Sequence, residues 1–463
     1  MTLASSKVLS SAAIPGPKGH YLLGSLPDIQ RDRVQFLVDL RRNYGDIVRI
    51  KLGPYEAVVI FHPDAIQHVL VDNQSNYSKE TRTYASLKHI VGNGLISSNG
   101  DFWLRQRRLM QPAFHDKKIA PLSELIVMQT QTTLDHLEKA AENGLAVNIS
   151  TEMMNLTMRV ATQALFGKLV QDVNGILGET IQLLISDTAF RFEHPFYPPV
   201  WFPAPRNRKF SAALKRLDEV IYEIIADRRK NPGRQKDLLD LMMQATLEEN
   251  EAAGGSSQKM NDRQLRDEAI TLFLAGHETT AVALSWTLYL ISQHPEVEAR
   301  LRQELDDVLG GRTPTLEDLP RLEYLRMVRD ESMRLYPPAW LTERKALGED
   351  ELCGYHIPAG TTLGITQFVT HRHPGFWDNP DIFDPERFST ERSTGRHSYA
   401  YFPFGGGRRQ CIGKNLALLE THLTLAMLLQ RFKFDLQPDW QVKLDPELSL
   451  RLKDGLWMRV KPA

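Results

Sequence analysis

Cys411 stands in a loop, Phe404-Gly-Gly-Gly-Arg-Arg-Gln-Cys-Ile-Gly413, where the thiol shares a short stretch with four glycines and two arginines. Without Cβ atoms the glycines let backbone come close to something flat or bulky. The guanidinium groups and the N-terminus of the apolar helix pattern that follows lower the free energy of a thiolate. Such a loop presents sulfur to an electrophile or a metal. A second cluster, Ala275-Gly-His-Glu-Thr-Thr280, lies inside an otherwise apolar helical pattern. Glycine, acid and hydroxyls are locally unfavourable there and mark function or strain. Two readings stand side by side. Either Thr279 and Glu278 open a polar groove and relay protons to a bound ligand, or the threonine bonds back to the preceding turn and Glu278 sits in an internal salt bridge.

Three further groups carry charge at helical spacing. Glu331-Ser-Met-Arg334 places acid and base side by side at i, i+3, a structural ion pair with Arg387 as a third partner. Its value lies in fixing geometry, because an ion pair is weak evidence for stability. Trp103-Leu-Arg-Gln-Arg107 sets an aromatic and a cation one turn apart, either a clamp on an anionic cofactor group or a half-buried Trp beside a solvated Arg. Arg105, Arg108, Lys117 and Lys118 extend it into a basic patch, a docking face for an acidic partner or a merely solvated surface. His277, His371 and His373 lack metal-ligand spacing with either cysteine, which argues against zinc. Gly405–Gly407 lacks the Lys-Ser/Thr of a phosphate loop, and no Gly-x-Ser-x-Gly elbow occurs.

The elements that must position these groups are mostly helical. The 463 residues are 42% hydrophobic with a net charge of −1, enough for a large core and no basic field for nucleic acid. Cys353 and Cys411, the only cysteines, fit a reducing, cytoplasmic compartment. Met1–Ile14 has no apolar run of signal-peptide length. Ala269–Ile291 is long enough to span a bilayer, but Glu278 near its middle would cost roughly 2.5–3.5 kcal/mol, so it reads as a buried core helix and no transmembrane anchor is expected. That helix should begin after Asn261, with Gln264 completing a capping box, and stop before Pro295, about 48 Å long. Ile47–Leu52 and Glu56–Phe61 read as a hairpin about Gly53-Pro54, and Leu448–Val460 as a terminal hairpin turning at Asp454-Gly455. Residues 1–20 form a Pro-rich start; about 45–62, 350–367 and 440–463 supply the small β-rich part. The least regular stretches are Glu193–Arg208 and Glu248–Lys259. The fold is therefore mainly α with small β-sheets and a long central helix, without the βα alternation of a dinucleotide-binding domain.

Taken together, the motifs resemble those of the haem-thiolate monooxygenases, the cytochrome P-450 family. Phe404-x-x-Gly407-x-Arg409-x-Cys411-x-Gly413 matches that family's cysteine loop, and Ala275-Gly276-x-Glu278-Thr279, Glu331-x-x-Arg334, Pro385-Glu-Arg387-Phe388 and Trp103-x-x-x-Arg107 stand upstream of it. The resemblance spans about the whole chain, with no departure at a motif position, and implies a single domain over 1–463. It implies haem b, with Cys411 as axial thiolate and iron ligand. Arg409, Trp103, Arg107 and Arg344 would hold the haem propionates, Phe404 would pack beside the sulfur, and Gly407 and Gly413 would allow close haem approach. Thr279 would be the distal alcohol with Glu278 feeding protons, Ala275 would face the substrate, and Glu331, Arg334 and Arg387 would be a structural lock.

The implied reaction inserts one oxygen of O₂ into a C–H bond of a hydrophobic substrate, a fatty acid, terpene or carotenoid-like molecule. Electrons would come from an external ferredoxin or flavodoxin with its reductase, docking near Arg105, Arg108, Lys118 and Arg408. Ile90, Val91, Ala275, Ala339, Trp340 and Leu341 are candidate pocket residues, with the stretch around Phe192. A monomer is expected. The Trp-, Phe- and Pro-rich segment 193–208 is an access lid, a peripheral membrane contact or an ordinary surface loop. Two rival functions are a peroxide-driven haem-thiolate peroxygenase or isomerase, which as a class lacks the acid–alcohol pair, and a non-enzymatic haem-binding sensor, in which that pair would be idle.

Overall fold

The protein is described by a computed structural model that covers residues 8–167, 173–194, 197–231, 233, 237–245 and 259–463. Most of the irregular stretch expected over Glu248–Lys259, and residues 195 and 196 of the segment 193–208, lie outside the described residues. The chain folds into two compact units, each built from separate pieces of sequence. One comprises Met1–Ala85, Arg334–Phe383 and Thr390–Cys411; the other Ser86–Met333, Asp384–Ser389 and Ile412–Ala463.

The first unit is organised by a five-stranded sheet. β1 (Ile47–Leu52) and β2 (Tyr55–Ile60) form the expected hairpin, in register from Ile47–Ile60 to Leu52–Tyr55, with Gly53 at φ 62° in the turn. β2 pairs in parallel with β8 (Thr362–Ile365), which pairs antiparallel with β5 (Thr342–Ala346), and β5 with β3 (Tyr77–Ser78). A separate hairpin joins β6 (Asp350–Leu352) to β7 (Tyr355–Ile357). The period-2 alternation of β-branched residues buries Val58, Ile60, Leu363 and Ile365 against Ile66, Val69 and Leu70 of the helical turns after β2, and against Phe402. Burying Phe402 fixes the chain just before the cysteine loop.

The second unit is built on the long helix, Asp262–Ser292. Asn261 and Gln264 form the capping box, each side chain on the other's backbone N–H at 2.9 Å, and Pro295 opens the next helix instead of extending this one. Nearly every residue from Leu265 to Ile291 is buried. Among the described residues no helix is long and apolar enough to cross a membrane. Helix Ile149–Phe166 lies along it, with Thr157 Oγ1 donating to the His277 carbonyl at 2.8 Å. Helix Lys414–Arg431, which follows the cysteine loop, is buried from Leu419 to Leu429.

The terminal hairpin is a correction. The turn exists, with Asp454 at φ 62° and Gly455 at φ 83°. However, β11 (Leu450–Leu452) pairs with β10 (Leu444–Pro446), whereas β12 (Trp457–Pro462) pairs with β9 (Phe432–Leu436) on one edge and β4 (Ala146–Asn148) on the other. Both edges of β12 are taken, so the residues flanking the turn enter different sheets.

Candidate active site

Two constellations of candidate residues are found, one within each unit. In the first, the cysteine loop is a 3₁₀ turn, Gly407–Arg409, pinned on both sides. Cys411 N–H donates to the Phe404 carbonyl at 3.0 Å, and Arg408 N–H donates to Gln74 Oε1 at 3.0 Å. Gly407 has φ 63°, and a Cβ there would sit 1.9 Å from the Leu70 carbonyl oxygen. Close approach of chain to chain, rather than to a ligand, is what demands this glycine. Around Gly413 a Cβ would meet nothing, so its surroundings in the protein do not require glycine. Gly407→Ala is expected to cost roughly 1–2 kcal/mol through its backbone angle alone, with displacement of Leu70 added. Haem content per chain of the purified variant should fall well below that of wild type; full occupancy would refute this account of the loop.

Beside the thiol this unit gathers cations. Lys79 Nζ lies 4.7 Å from the centre of the Tyr84 ring, and the Tyr84 hydroxyl is 3.0 Å from Thr342 Oγ1. Arg344, buried, donates to Thr342 Oγ1 at 3.3 Å and to the Glu343 carbonyl at 2.7 Å. Burial, then Arg344 and Arg409, pull the Lys79 ammonium well below its ordinary range, while Cys411 pulls it up. Burial and then Arg344 bring Arg409 down to about 10. Glu343, next to Arg344 in sequence, is engaged elsewhere: its oxygens accept from Thr81 Oγ1 at 2.5 Å and Thr83 Oγ1 at 3.0 Å. Lys79, Arg344 and Arg409 together make a buried cationic surrounding that favours an anionic group. A dianionic, sulfur-ligated group such as haem fits this donor set. Sequence reasoning found Arg344 and Arg409 but not Lys79, because a lysine between a strand and an acidic residue reads as solvated.

The second constellation lies on the long helix. Within that buried rod Ala275 is exposed and Gly276 and Thr279 are half-buried, so the helix presents one open face at the acid–alcohol cluster. Thr279 Oγ1 donates back to the Ala275 carbonyl at 2.6 Å. Glu278, buried, accepts from Ser449 Oγ at 2.6 Å and stands 3.8 Å from Arg451 Nε. Both features of the second reading given above are therefore present. On the helix Gly100–Met110, Trp103 is buried and Arg107 half-buried one turn later. The loop before it hangs on the long helix: Asn93 N–H donates to Asp267 Oδ2 at 2.8 Å and Leu95 N–H to Glu268 Oε2 at 3.0 Å. Gly94 is needed there, since a Cβ would lie 2.0 Å from Thr271 Oγ1. Burial pushes the Glu268 carboxyl up to about 8, so it carries its proton at neutral pH.

Of the candidate pocket residues, Ile90, Val91 and Trp340 are buried, Ala339 and Ala275 are exposed, and Leu341 is half-buried. The side chain of Phe192 lies outside the described residues. Glu331, fully buried, accepts from Asp384 N–H at 2.9 Å and pairs with Arg387 Nε at 3.4 Å. Arg334, on the same helix, caps the carbonyls of His371, Pro380 and Ile382 at 2.7–3.2 Å and stacks 4.8 Å from the Trp377 ring centre. Both residues of the i, i+3 pair are thus buried and bound to backbone around them. Arg108, Lys117 and Lys118 are exposed and Arg105 half-buried. Asn415 Nδ2 donates to Asp116 Oδ1 at 2.6 Å, which sets Lys117 and Lys118 beside the start of the helix that follows Cys411.

Comparison with known proteins agrees with this geometry. The family model described as cytochrome P-450 matches residues 14–459. The chain is 36% identical to the cyclooctatin synthase of Streptomyces melanosporofaciens, over 94% of this chain and 92% of that protein. It is 35% identical to the cyclooctat-9-en-7-ol 5-monooxygenase of the same organism, over 89% and 87%. Among solved structures, a cytochrome P-450 heme domain superposes with a TM-score of 0.88 at 26% identity, covering 97% of this chain and 98% of that one. The chain belongs to the cytochrome P-450 family: it is a haem-thiolate monooxygenase whose cofactor is haem b.

Proposed function

We propose that this monooxygenase hydroxylates a terpene-like substrate, residues 1–463 acting as one catalytic domain. The observation that carries the substrate class is the likeness, across most of both chains, to enzymes named for cyclooctatin and cyclooctat-9-en-7-ol. The small, exposed side chain of Ala275 on the open face of the long helix supports it.

When bound, haem supplies the activation of O₂ by which one oxygen atom enters a C–H bond and the other leaves as water. Cys411 Sγ holds the iron as thiolate, kept in place by the backbone bond to Phe404. Arg409 and Arg344 would hold the haem propionates, a role that the motif also assigns to Trp103 and Arg107. Thr279 Oγ1 turns from the Ala275 carbonyl to present its proton to the open face of the helix, and Glu278 replaces that proton. Glu331 and Arg387, and separately Arg334, fix the backbone around them. Monooxygenation needs two electrons from a redox partner. We assign that role to a ferredoxin or flavodoxin with its reductase, docking on Arg108, Lys117 and Lys118, with Arg105 and Arg408. Trp201, 82% exposed, and the exposed Phe202 give the segment 193–208 a surface suited to peripheral membrane contact. The protein works as a monomer in the cytoplasm; the cytoplasmic reading is supported by two cysteines that form no disulfide.

The substrate class is tested by titrating the holoenzyme with terpene alkenes and alcohols, carotenoids and fatty acids, following the low- to high-spin shift of the haem. Terpene alkenes and alcohols are expected to give the shift and a monohydroxylated product. A shift confined to fatty acids would overturn the assignment.

A further inference from the structure

Glu278 is enclosed in the long helix, yet its carboxylate is contacted by a single hairpin rather than by core residues around it. Ser449 Oγ, 2% exposed, donates to Glu278 Oε1 at 2.6 Å, and Arg451 Nε lies 3.8 Å from the same oxygen. Both residues belong to the hairpin of β10 and β11, which the long helix anchors two turns further on through Trp286 Nε1, donating to the Leu450 carbonyl at 2.7 Å. Outward from Glu278 the polarity rises stepwise. Arg451, 15% exposed, pairs with Glu447, 21% exposed, and stands 3.5 Å from Asp445, 36% exposed. Its Nη1 donates to the exposed Gln182 at 3.1 Å. A buried carboxylate that must be reprotonated in every cycle needs a route to water, and the hairpin that carries Ser449 and Arg451 is the element through which its contacts lead towards solvent. Burial raises the Glu447 carboxyl above its ordinary range against the pull of Arg451, which brings its proton exchange closer to neutral pH.

We propose that the β10–β11 hairpin is the proton-loading arm of Glu278, with Ser449 as the relay. The Ser449 O–H bond breaks as a proton passes to Glu278 Oε1, and Ser449 Oγ takes a proton from water in the same exchange. The serine is unchanged after each transfer, and one proton has moved from solvent to the carboxylate. Arg451 is a positioning residue, held from outside by Glu447 and Asp445 and facing the carboxylate on its inner side. The proposal rests on the reading of Glu278 as the group that supplies protons to Thr279.

The test uses the full-length holoenzyme with NADPH, a ferredoxin and its reductase, in the absence of organic substrate, so it does not depend on the terpene assignment. NADPH consumption, its solvent deuterium isotope effect and the share of electrons released as hydrogen peroxide are measured. Ser449→Ala is expected to slow consumption about tenfold, a smaller loss than the ~10²–10⁴ of a missing acid–base group because water partly substitutes. Its isotope effect and peroxide share should both rise, and Ser449→Thr should restore all three. Haem content and the carbon monoxide spectrum should stay as in wild type, which separates a relay from a merely structural hydroxyl. Glu278→Gln is the control. If it behaves as wild type, the reading of Glu278 itself falls. If it is impaired while Ser449→Ala retains the wild-type rate and isotope effect, the arm is overturned and Glu278 keeps its role. An impaired Ser449→Ala that Ser449→Thr does not rescue also overturns the relay.

Discussion

Replacing Cys411 with alanine is expected to abolish the red-shifted carbon monoxide band that a thiolate-ligated haem gives and to take monooxygenase turnover below detection, while the far-ultraviolet circular dichroism stays that of the wild type. The fold survives because Cys411 is exposed and lends no bulk to the core; its backbone bond to Phe404 does not involve the side chain. The spectrum does not survive because alanine has no ligand atom. Cys353→Ala is the internal control. That thiol is held protonated, pushed up to about 11 by burial and then by Asp46 and Asp64, whereas cations gather at Cys411. Two free cysteines on one chain thus sit in opposite electrostatic surroundings, and only one is made for a metal. A wild-type carbon monoxide band in Cys411→Ala would sink the assignment of the ligand.

Glu331→Ala is expected to carry the largest stability cost of any single substitution considered above. Glu331 has no exposed surface, accepts the Asp384 N–H and faces the buried Arg387. Removing it takes from the buried Arg387 guanidinium its nearer carboxylate, leaving Asp384 Oδ2 at 4.0 Å, and takes from the Asp384 N–H its acceptor. Breaking a buried pair in this way costs about 3–5 kcal/mol, far more than the pair adds over an apolar replacement. Glu331→Gln keeps an acceptor for Asp384 and should fall between the two. Urea midpoints followed by tryptophan fluorescence and by the haem absorption band measure the difference. A midpoint for Glu331→Ala within about 1 kcal/mol of wild type would mean that this carboxylate is not the keystone its burial suggests.

Much of the architecture is legible in the sequence wherever its cause is local. The capping box at Asn261 and Gln264 is a spacing of three residues, and the β1–β2 hairpin is two alternating runs about Gly53-Pro54. The cysteine loop is legible because glycines and arginines crowd one thiol. What fails is long-range. The Asp454-Gly455 turn signal is genuine, but β12 meets Asn148 and Leu436 rather than its own neighbour, and no local pattern encodes that choice. Within the site, Glu278 and Thr279 stand out as polar residues in an apolar helix. Ser449 and Arg451 do not, since the partner that gives them meaning lies 171 and 173 residues away in sequence. Lys79 is hidden for the same reason. Glu331-x-x-Arg334 is legible as a spacing, whereas the carbonyls of His371, Pro380 and Ile382 that Arg334 caps lie too far along the chain to be read from it.

The pairing of β12 also bears on when this protein can fold. Its partners are β9, just upstream, and β4, some three hundred residues earlier. Trp286 and Glu278, at the heart of the long helix, meet Leu450 and Ser449 only once that part of the chain exists. On the ribosome the long helix can therefore form early but cannot be satisfied until β10 to β12 have been made. Contacts of such high sequence separation slow folding and prolong the exposure of apolar surface. The acid of the reaction is thus among the last groups to reach its native surroundings.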